Sequence, residues 1–218
     1  MTKAVAAKSS GRTEEPLRSA RKHKAILDAA TEVFLRDGYL GTNMDEIASL
    51  SEVSKQTIYK HFASKEALFV EIVGSMTSAA GDLVHTEIEL EEGGDLTAYL
   101  EDYAYRQLTV VLTPRVMQLR RLVIGEVSRF PELAKVLYER GPLRAMSALA
   151  TNFERLAARG LLTIDDPSVA ASHFNWLVMS APLNQAMLLG DAAIPQQAEL
   201  RRHAVEGVRM FLAAYGRQ

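Results

Sequence analysis

The sequence contains no cysteine, and this absence excludes two kinds of structure. Neither a disulfide framework nor a thiolate metal site can form, which fits a reducing cytoplasm. No apolar run approaches membrane-spanning length, and residues 1–16 lack the apolar segment of a secretory signal. We therefore expect a soluble, cytoplasmic protein that has no membrane partner.

The sequence also has little net charge, −2 over 218 residues, so the total charge does not indicate a nucleic-acid partner. The charges are unevenly distributed. Residues 1–70 hold 11 Lys and Arg against 9 Asp and Glu, and seven of the eight lysines lie at or before Lys65. A slightly basic N-terminal part beside a neutral-to-acidic body agrees with a DNA-facing end.

Apolar residues recur at helical spacing along most of the chain, and hydrophobic residues make up 48% of it. The pattern predicts an all-α fold in three parts: a flexible arm over residues 1–18, a three-helix domain over 19–65 and a larger helical domain over 66–218. Helices are expected over 19–37, from 44, and over 55–61, 65–83, 96–113, 116–130, 132–140, 142–160, 167–189 and 196–215.

The stretch from residue 43 to 68 holds three candidate helix caps in close succession. Asn43, Ser54 and Ser64 each carry a side-chain oxygen that can accept a hydrogen bond from the first turn of a helix. Glu46 stands three residues after Asn43, which is the spacing of a capping box. Helices of about seven residues are marginal alone, so packing must hold them. The apolar residues available for that packing are Ile47, Ala48, Val53, Ile58 and Phe62.

With Ile58 turned inward, the helix over 55–61 presents hydrogen-bond donors and no carboxylate. Its outward residues are Lys55, Gln56, Thr57, Tyr59, Lys60 and His61. A donor-rich helix that follows a short helix and a tight turn has the shape and chemistry of a helix that enters the DNA major groove. We call it the recognition helix.

This region resembles the DNA-binding signature of TetR-type (TetR/AcrR) transcriptional regulators, through residues 47–69, IASLSEVSKQTIYKHFASKEALF. Residues 121–134, RLVIGEVSRFPELA, resemble a recurring segment in one branch of that family. The resemblance implies a sequence-specific regulator, by analogy a repressor, that a small, largely hydrophobic ligand releases from a palindromic operator. The expected DNA-contacting residues are Lys22, Thr42, Ser54, Lys55, Gln56, Thr57, Tyr59, Lys60, His61 and Lys65.

The turn before the recognition helix departs from the family pattern. The family usually places a small residue and then Gly there, whereas this chain has Ser51 and Glu52. A non-Gly residue in this turn is expected to adopt a positive φ at a cost of roughly 1 kcal/mol. The Glu52 carboxylate would then lie near the DNA phosphates, where it weakens affinity or narrows the choice of operator. The alternative is a solvated turn residue without such an effect.

The helix over 167–189 has almost no polar face, so we expect it to be buried on every side, with a kink at Pro182. A chain of this size cannot easily cover such a helix, and we infer a symmetric partner. The helices over 167–189 and 196–215 would pair with their copies as a four-helix bundle, as the resemblance also implies. Such a homodimer fixes the spacing of two recognition helices and requires a near-palindromic site. The expected interface residues are Phe174, Leu177, Ala181, Leu200, Ala204, Gly207, Val208 and Phe211.

A ligand pocket in the larger domain, typical of the family, has local support in two polar residues. Gln107 and Glu126 fall within apolar stripes, where an unpaired polar group costs on the order of 1–3 kcal/mol. A ligand, bound water or an internal partner such as Arg120, Arg121 or Arg129 would satisfy them. The candidate pocket residues are Tyr103, Gln107, Met117, Glu126, Met146, Phe153, Asn175, Trp176 and Met179. Met and aromatic stripes more often form plain core.

Two other functions compete with this interpretation. For a helical-domain enzyme or metal-binding protein, the five His residues are scattered and no catalytic signature is present, so we expect no catalytic residue, metal or cofactor. Glu199 and His203 share a helical face, and His173 could lie nearby, but a satisfied structural histidine is the simpler interpretation. A sequence-indifferent nucleic-acid-binding protein would bind any duplex similarly, with a steep salt dependence.

Overall fold

The computed structural model of the protein describes residues 11–85 and 90–217, with side chains described from residue 17 onward in those ranges. The fold is all-α, as predicted, and an isolated β-bridge joins Leu162 to Gly216. The helices of the described residues are α1 (Gly11–Gly41), α2 (Met44–Leu50), α3 (Lys55–His61), α4 (Lys65–Val84), α5 (Leu96–Val111), α6 (Pro114–Gly125), α7 (Pro131–Tyr138), α8 (Arg144–Ala158), α9 (Pro167–Leu189) and α10 (Gln197–Tyr215).

The chain divides into two compact units within α4, unit 1 (residues 1–72) and unit 2 (residues 73–218). Unit 1 is organised around an aromatic pair, since the rings of Phe34 and Phe69 stack with their centroids 4.8 Å apart and both are fully buried. Ile47 and Ile58 bring α2 and α3 into the same buried core. Burial of these side chains holds two helices that would be marginal alone.

Helix α1 corrects the prediction of a flexible arm for residues 11–18. The helix begins at Gly11, eight residues before the predicted start at 19, and includes Pro16 beside Glu, Leu and Arg residues that favour a helix. Residues 1–10 lie outside the described residues. The predicted end of this helix at residue 37 is confirmed, since the φ of 73° at Gly38 interrupts the helical backbone.

All three predicted helix caps are present. The Asn43 side chain accepts from the amide of Asp45, Ser54 from that of Thr57, and Ser64 from that of Ala67. The capping box at Asn43 is not formed, because the Glu46 carboxylate instead accepts a 2.8 Å hydrogen bond from Arg36 of α1. This ion pair links α1 to α2.

In unit 2 the core lies where α5, α8, α9 and α10 meet. Three fully buried aromatic residues mark its centre: Phe211 stacks on Phe153 at 4.9 Å and meets the edge of Phe174 at 5.1 Å. Arrangements of this kind suit the ring quadrupole and add to the stability from buried area. The aromatic residues of α8, α9 and α10 therefore determine how these three helices pack.

Two helices of unit 2 differ from the prediction in detail. The helix predicted over 116–130 ends at Gly125, and the one predicted from 142 begins earlier through a π-helical turn, Glu139–Leu143, that joins α7 to α8. Helix α9 continues through Pro182 to Leu189. Within the protomer Trp176 of α9 is 54% exposed, and Leu188 and Leu189 are also exposed, so the expected burial of α9 on every side requires the symmetric partner.

Among the described helices, α4 is long and apolar enough by length and composition to cross a membrane, which corrects the expectation that no apolar run reaches that length. The indication is weak, since the core helix of a soluble protein passes the same test. Leu68, Phe69 and Ile72 of α4 are fully buried within unit 1. Their packing accounts for much of the apolar character of this helix.

Candidate nucleic-acid interface and ligand cleft

Helix α3 is positioned by its two ends and by one buried side chain. The Ser54 hydroxyl caps its first turn, Ile58 is fully buried in unit 1, and the amide of Phe62 donates to Ile58 at the last turn. The opposite face exposes Lys55, Gln56, Tyr59 and Lys60, all predicted DNA contacts. These four side chains therefore form a continuous surface of hydrogen-bond donors, which we call the α3 face.

Several of the DNA contacts predicted on and beside α3 make internal contacts. Lys55 makes an ion pair with Asp45 of α2 at 3.0 Å, and the hydroxyls of Thr57 and Ser54 share a 2.8 Å hydrogen bond. His61 is half-buried, with its ring centroid 5.8 Å from that of His23. By contrast, Tyr59 and Lys60 have no hydrogen bond or ion pair to other described residues through their side chains. They are the side chains best placed to meet a partner.

Thr42 and Lys65, two predicted DNA contacts, serve the end of α1 instead. Thr42 is only 6% exposed, and its hydroxyl donates to the carbonyl of Gly38 at 2.7 Å, which corrects the prediction of a phosphate-contacting hydroxyl. The Lys65 ammonium donates to the carbonyl of Thr42 at 2.8 Å and lies 5.0 Å from the centroid of the Tyr39 ring. Burial lowers the pKa of Lys65. Both residues close the break in α1. Lys22, the predicted DNA contact on α1, is exposed.

Glu52 confirms the positive backbone angle predicted for the turn, with φ at 54°. The neighbouring Ser51 is buried, and its hydroxyl donates to the carbonyl of Ile47 at 2.6 Å. Because Ser51 fixes the end of α2, Glu52 must adopt the left-handed conformation to lead the chain into α3. Its side chain is exposed.

We expect Glu52→Gly to stabilise the protein by about 0.5 kcal/mol, because relief of the left-handed strain exceeds the added chain entropy of glycine. Denaturation by urea would measure this change. Glu52→Gln is the matched control, since it removes the charge and keeps the strain, and it should leave stability unchanged. Equal stabilisation by Gln would show that charge, and not backbone strain, is the cause.

The predicted pocket residues of unit 2 mostly form plain core. Met117, Phe153, Met179 and Tyr103 are buried and pack in the main hydrophobic cluster. The buried Gln107 has an internal partner, because its amide donates to Asn175 at 2.8 Å. Its carbonyl oxygen has no hydrogen-bond partner among the described residues, so this polar pair is incompletely satisfied.

Three other predicted pocket residues do not join that group. Trp176 lies on the surface of α9, so its assignment to a pocket is wrong. Glu126 follows the end of α6 and makes an ion pair with Arg129 at 3.6 Å, one of the internal partners considered above. Met146 is half-buried on α8. Sequence spacing places such residues on a helix but does not determine which neighbour faces them.

His85 and Tyr103 form a polar pair at the end of α4, with the phenol oxygen 2.8 Å from Nδ1 of the imidazole. Burial raises the pKa of Tyr103. Burial, with the charges of Arg144 and Arg106, lowers the pKa of His85 to about 4, and Asp82 opposes the shift. Folding thus favours the neutral imidazole.

Acidification should therefore destabilise the protein through His85. Because its pKa falls from about 6.5 in the unfolded chain to about 4 in the fold, stability is intact above pH 6.5 and declines towards pH 4. After allowance for solvent screening, the loss is roughly 1–2 kcal/mol. His85→Gln should flatten the pH dependence of the unfolding free energy relative to the unmodified protein. An unchanged pH profile in His85→Gln would contradict this assignment.

A cleft of about 220 Å³ lies between α6, α7 and the π-helical turn, and the sequence did not indicate it. Its lining is apolar apart from one arginine, Arg120. The other lining residues are Val123, Ile124, Val127, Ala134, Leu137, Tyr138 and Pro142. The available signal was the short apolar run over residues 122–124, directly after Arg120 and Arg121. We call this feature the Arg120 cleft.

His173 and His203, which were considered for a metal site, do not form such a site among the described residues. The imidazole Nδ1 of His173 lies 2.6 Å from the Tyr215 hydroxyl, and Nε2 of His203 is buried without a hydrogen-bond partner among the described residues. Within residues 11–85 and 90–217, the structure shows no cluster of three or more His, Asp or Glu side chains that could hold a metal ion.

Both units match known families of bacterial regulators. Residues 26–72 match the N-terminal domain of the tetR family of bacterial regulatory proteins, and residues 98–217 match the C-terminal domain of AefR-like transcriptional repressors. Together with the arrangement of α2 and α3, these matches define a DNA-binding transcriptional regulator with a helix-turn-helix motif. The chain belongs to the TetR family, whose members are regulators and not enzymes.

Proteins of known structure resemble the chain over nearly its whole length. A TetR-family transcriptional regulator of Mesorhizobium loti is 41% identical, with a TM-score of 0.87. The match covers 92% of this chain and 99% of the chain of that regulator. The flavonoid-responsive regulator FrrA is 30% identical, with coverage of 91% of this chain and 99% of the FrrA chain and a TM-score of 0.73.

YhgD, an HTH-type regulator of Bacillus subtilis, is 32% identical over 126 residues, which are 55% of this chain and 66% of YhgD. The chain thus spans somewhat less than two thirds of that curated relative.

Proposed function

We propose that the protein is a cytoplasmic repressor that binds a palindromic operator as a homodimer and leaves it when a small, largely hydrophobic ligand binds. The observation that carries this proposal is the α3 face, an exposed set of donors on a helix that contains no carboxylate. In this proposal, residues 19–65 bind DNA, and residues 66–218 bind the effector and form the dimer.

The similar proteins support the individual parts of the proposal. The C-terminal match is to AefR-like repressors, and the repressor NicS of Pseudomonas putida is 31% identical over 109 residues, which are 45% of this chain and 50% of NicS. FrrA is a flavonoid-responsive regulator, which provides an example of a relative that responds to a small molecule. Repression and ligand response are carried over to this chain by similarity.

Selection of binding sites from a random pool of DNA duplexes would test the proposed recognition. We expect one near-palindromic sequence to bind at least a thousandfold more tightly than random duplex, as specific regulators do. Its affinity should also fall with salt because α3 and α1 carry lysines that contact phosphates. Equal affinity for all duplexes would instead identify a sequence-indifferent nucleic-acid-binding protein.

The proposed dimer uses α9 and α10, although most of the residues first predicted for its interface are buried inside the protomer. Phe174, Leu200, Ala204, Val208 and Phe211 are buried inside the protomer, so they cannot meet a partner, and Gly207 is buried against Leu177 of α9. Of the predicted set, Ala181 is exposed and Leu177 is half-buried. The exposed large apolar residues on these helices are Val169, Trp176, Leu188, Leu189 and Met210. Exposed apolar side chains on neighbouring helices are typical of a subunit interface.

Trp176→Glu should weaken the dimer by at least tenfold in its dissociation constant, because a buried aromatic contact would be replaced by a charge. Sedimentation equilibrium over a range of concentrations would measure the change. Tyr138→Glu is the matched control, since Tyr138 is similarly exposed on unit 2 but lies on α7. A dimer that tolerates Trp176→Glu as well as Tyr138→Glu would exclude this face of α9 as the interface.

A further inference from the structure

Arg120 is the one charged residue among those that line the Arg120 cleft, and its charge is poorly compensated. Its Nε atom is inaccessible to solvent and has no hydrogen-bond partner among the described residues. Burial lowers the pKa of the guanidinium. A buried donor without an acceptor destabilises the protein that contains it, unless another molecule supplies the acceptor.

The next residue on the same helix shows how this chain compensates an arginine elsewhere. Arg121 donates to the carbonyl of Ala186 at 2.9 Å and makes an ion pair with Asp191. Gln118 donates to the same carboxylate. An acidic partner therefore stands beside Arg121, whereas Arg120 faces the apolar lining of a cleft. This difference leaves the buried Nε atom of Arg120 open to an acceptor from outside the protomer.

We propose that the Arg120 cleft binds a small amphipathic carboxylate. The carboxylate pairs with the guanidinium of Arg120, and the apolar body of the ligand contacts Val123, Leu137 and Tyr138. Arginine suits this role because its planar group can donate two parallel hydrogen bonds to a carboxylate. This inference rests on the proposed function, because it assigns the chemical class of the effector.

The cleft volume limits the size of the ligand. At about 220 Å³ the cleft is smaller than the roughly 300–1,000 Å³ of a drug-sized site, so it accommodates a body of about a dozen non-hydrogen atoms. Ile124 and Tyr138 are exposed at its edge, which leaves an entry from solvent. An aromatic or medium-chain carboxylic acid fits both limits.

The cleft is connected to α4 through the π-helical turn. Pro142 lines the cleft, and the adjacent residue Gly141 approaches Thr77 so closely that a Cβ atom at position 141 would lie 2.9 Å from its methyl group. Arg144 makes an ion pair with Asp82, also on α4. A ligand that displaces the turn would therefore act on α4, which begins in the unit that carries α3. π-Helical turns are frequently found at functional sites.

Calorimetric titration of the full-length protein would test the ligand class. The probes are octanoate, 3-phenylpropanoate, 3-phenylpropanamide and 3-phenylpropylamine, the last three sharing one skeleton. We expect at least one carboxylate to bind at least tenfold more tightly than the amide, and the amine not to bind. Arg120→Met should abolish this preference, Arg120→Lys should retain part of it, and Arg115→Met, at an exposed arginine of the same helix, should retain it fully.

The proposal is overturned if neither carboxylate binds, if the amide binds equally well, or if folded Arg120→Met keeps the preference. A cleft covered by a second copy of the chain would also overturn it, and then Ile124→Glu should dissociate the dimer. Operator affinity without ligand is measured in parallel. Intact operator binding without carboxylate binding would refute the ligand class alone, whereas carboxylate binding without a preferred operator would refute only the proposed repressor function.

Discussion

Replacement of both Tyr59 and Lys60 by alanine should lower affinity for the selected operator by at least a hundredfold. The two side chains are exposed on the α3 face and have no internal hydrogen bond or ion pair to described residues that would divert them from DNA. Each lost base or phosphate contact costs about 1–3 kcal/mol, so two together cost about 4 kcal/mol at the middle of that range, more than the roughly 2.7 kcal/mol that a hundredfold change requires. Fluorescence anisotropy with a labelled operator would measure the loss.

Two controls separate the loss of DNA contacts from damage to the fold. Their removal leaves Ile58 and the Ser54 cap in place, so the dimer and its melting temperature should not change. Lys135→Ala removes an exposed lysine from α7 and should leave operator affinity unchanged. Unaltered operator binding by the double variant would mean that α3 does not recognise DNA.

Phe211→Ala should lower the unfolding free energy of unit 2 by about 3–5 kcal/mol, the usual range for a buried phenylalanine. Phe211 is fully buried and contacts the rings of Phe153, Phe174 and Tyr215, with centroids 4.8–5.4 Å apart within this cluster. Alanine would leave a cavity where α8, α9 and α10 meet. Chemical denaturation followed by circular dichroism would measure the change.

The exposed Tyr138 provides the comparison for that experiment. Tyr138→Ala removes an aromatic ring of similar size from the surface of unit 2 and should change stability by less than about 0.5 kcal/mol. If Phe211→Ala costs no more than Tyr138→Ala, then Phe211 is not part of the core. In that case the original assignment of Phe211 to a subunit interface would become relevant again.

Local features of the fold were predictable because short-range chemistry determines them. A cap needs only a Ser or Asn and the amides two or three residues ahead, so Asn43, Ser54 and Ser64 could be recognised from their positions. The positive φ of Glu52 followed from the tight turn between two helices. Each of these features involves residues that are close together in the sequence.

Features that depend on distant residues were predicted less well. Phe174 and Trp176 are both aromatic and stand two positions apart on α9, yet one is fully buried and the other is 54% exposed. An almost wholly apolar helix has a weak amphipathic pattern, so packing against α8 and α10 decides which side is buried. Lys65 likewise reaches back 23 residues to the carbonyl of Thr42, a contact that periodicity does not reveal.

The π-helical turn Glu139–Leu143 also sets the rotational phase of α8 with respect to α7. Because such a turn takes about one more residue than an α-helical turn, every later residue is rotated by about 100° from its place in an uninterrupted helix. Leu149 and Phe153 lie beyond that offset, and both are fully buried. Length changes within these five residues would therefore alter which side of α8 faces the core, even if α8 itself kept its full sequence.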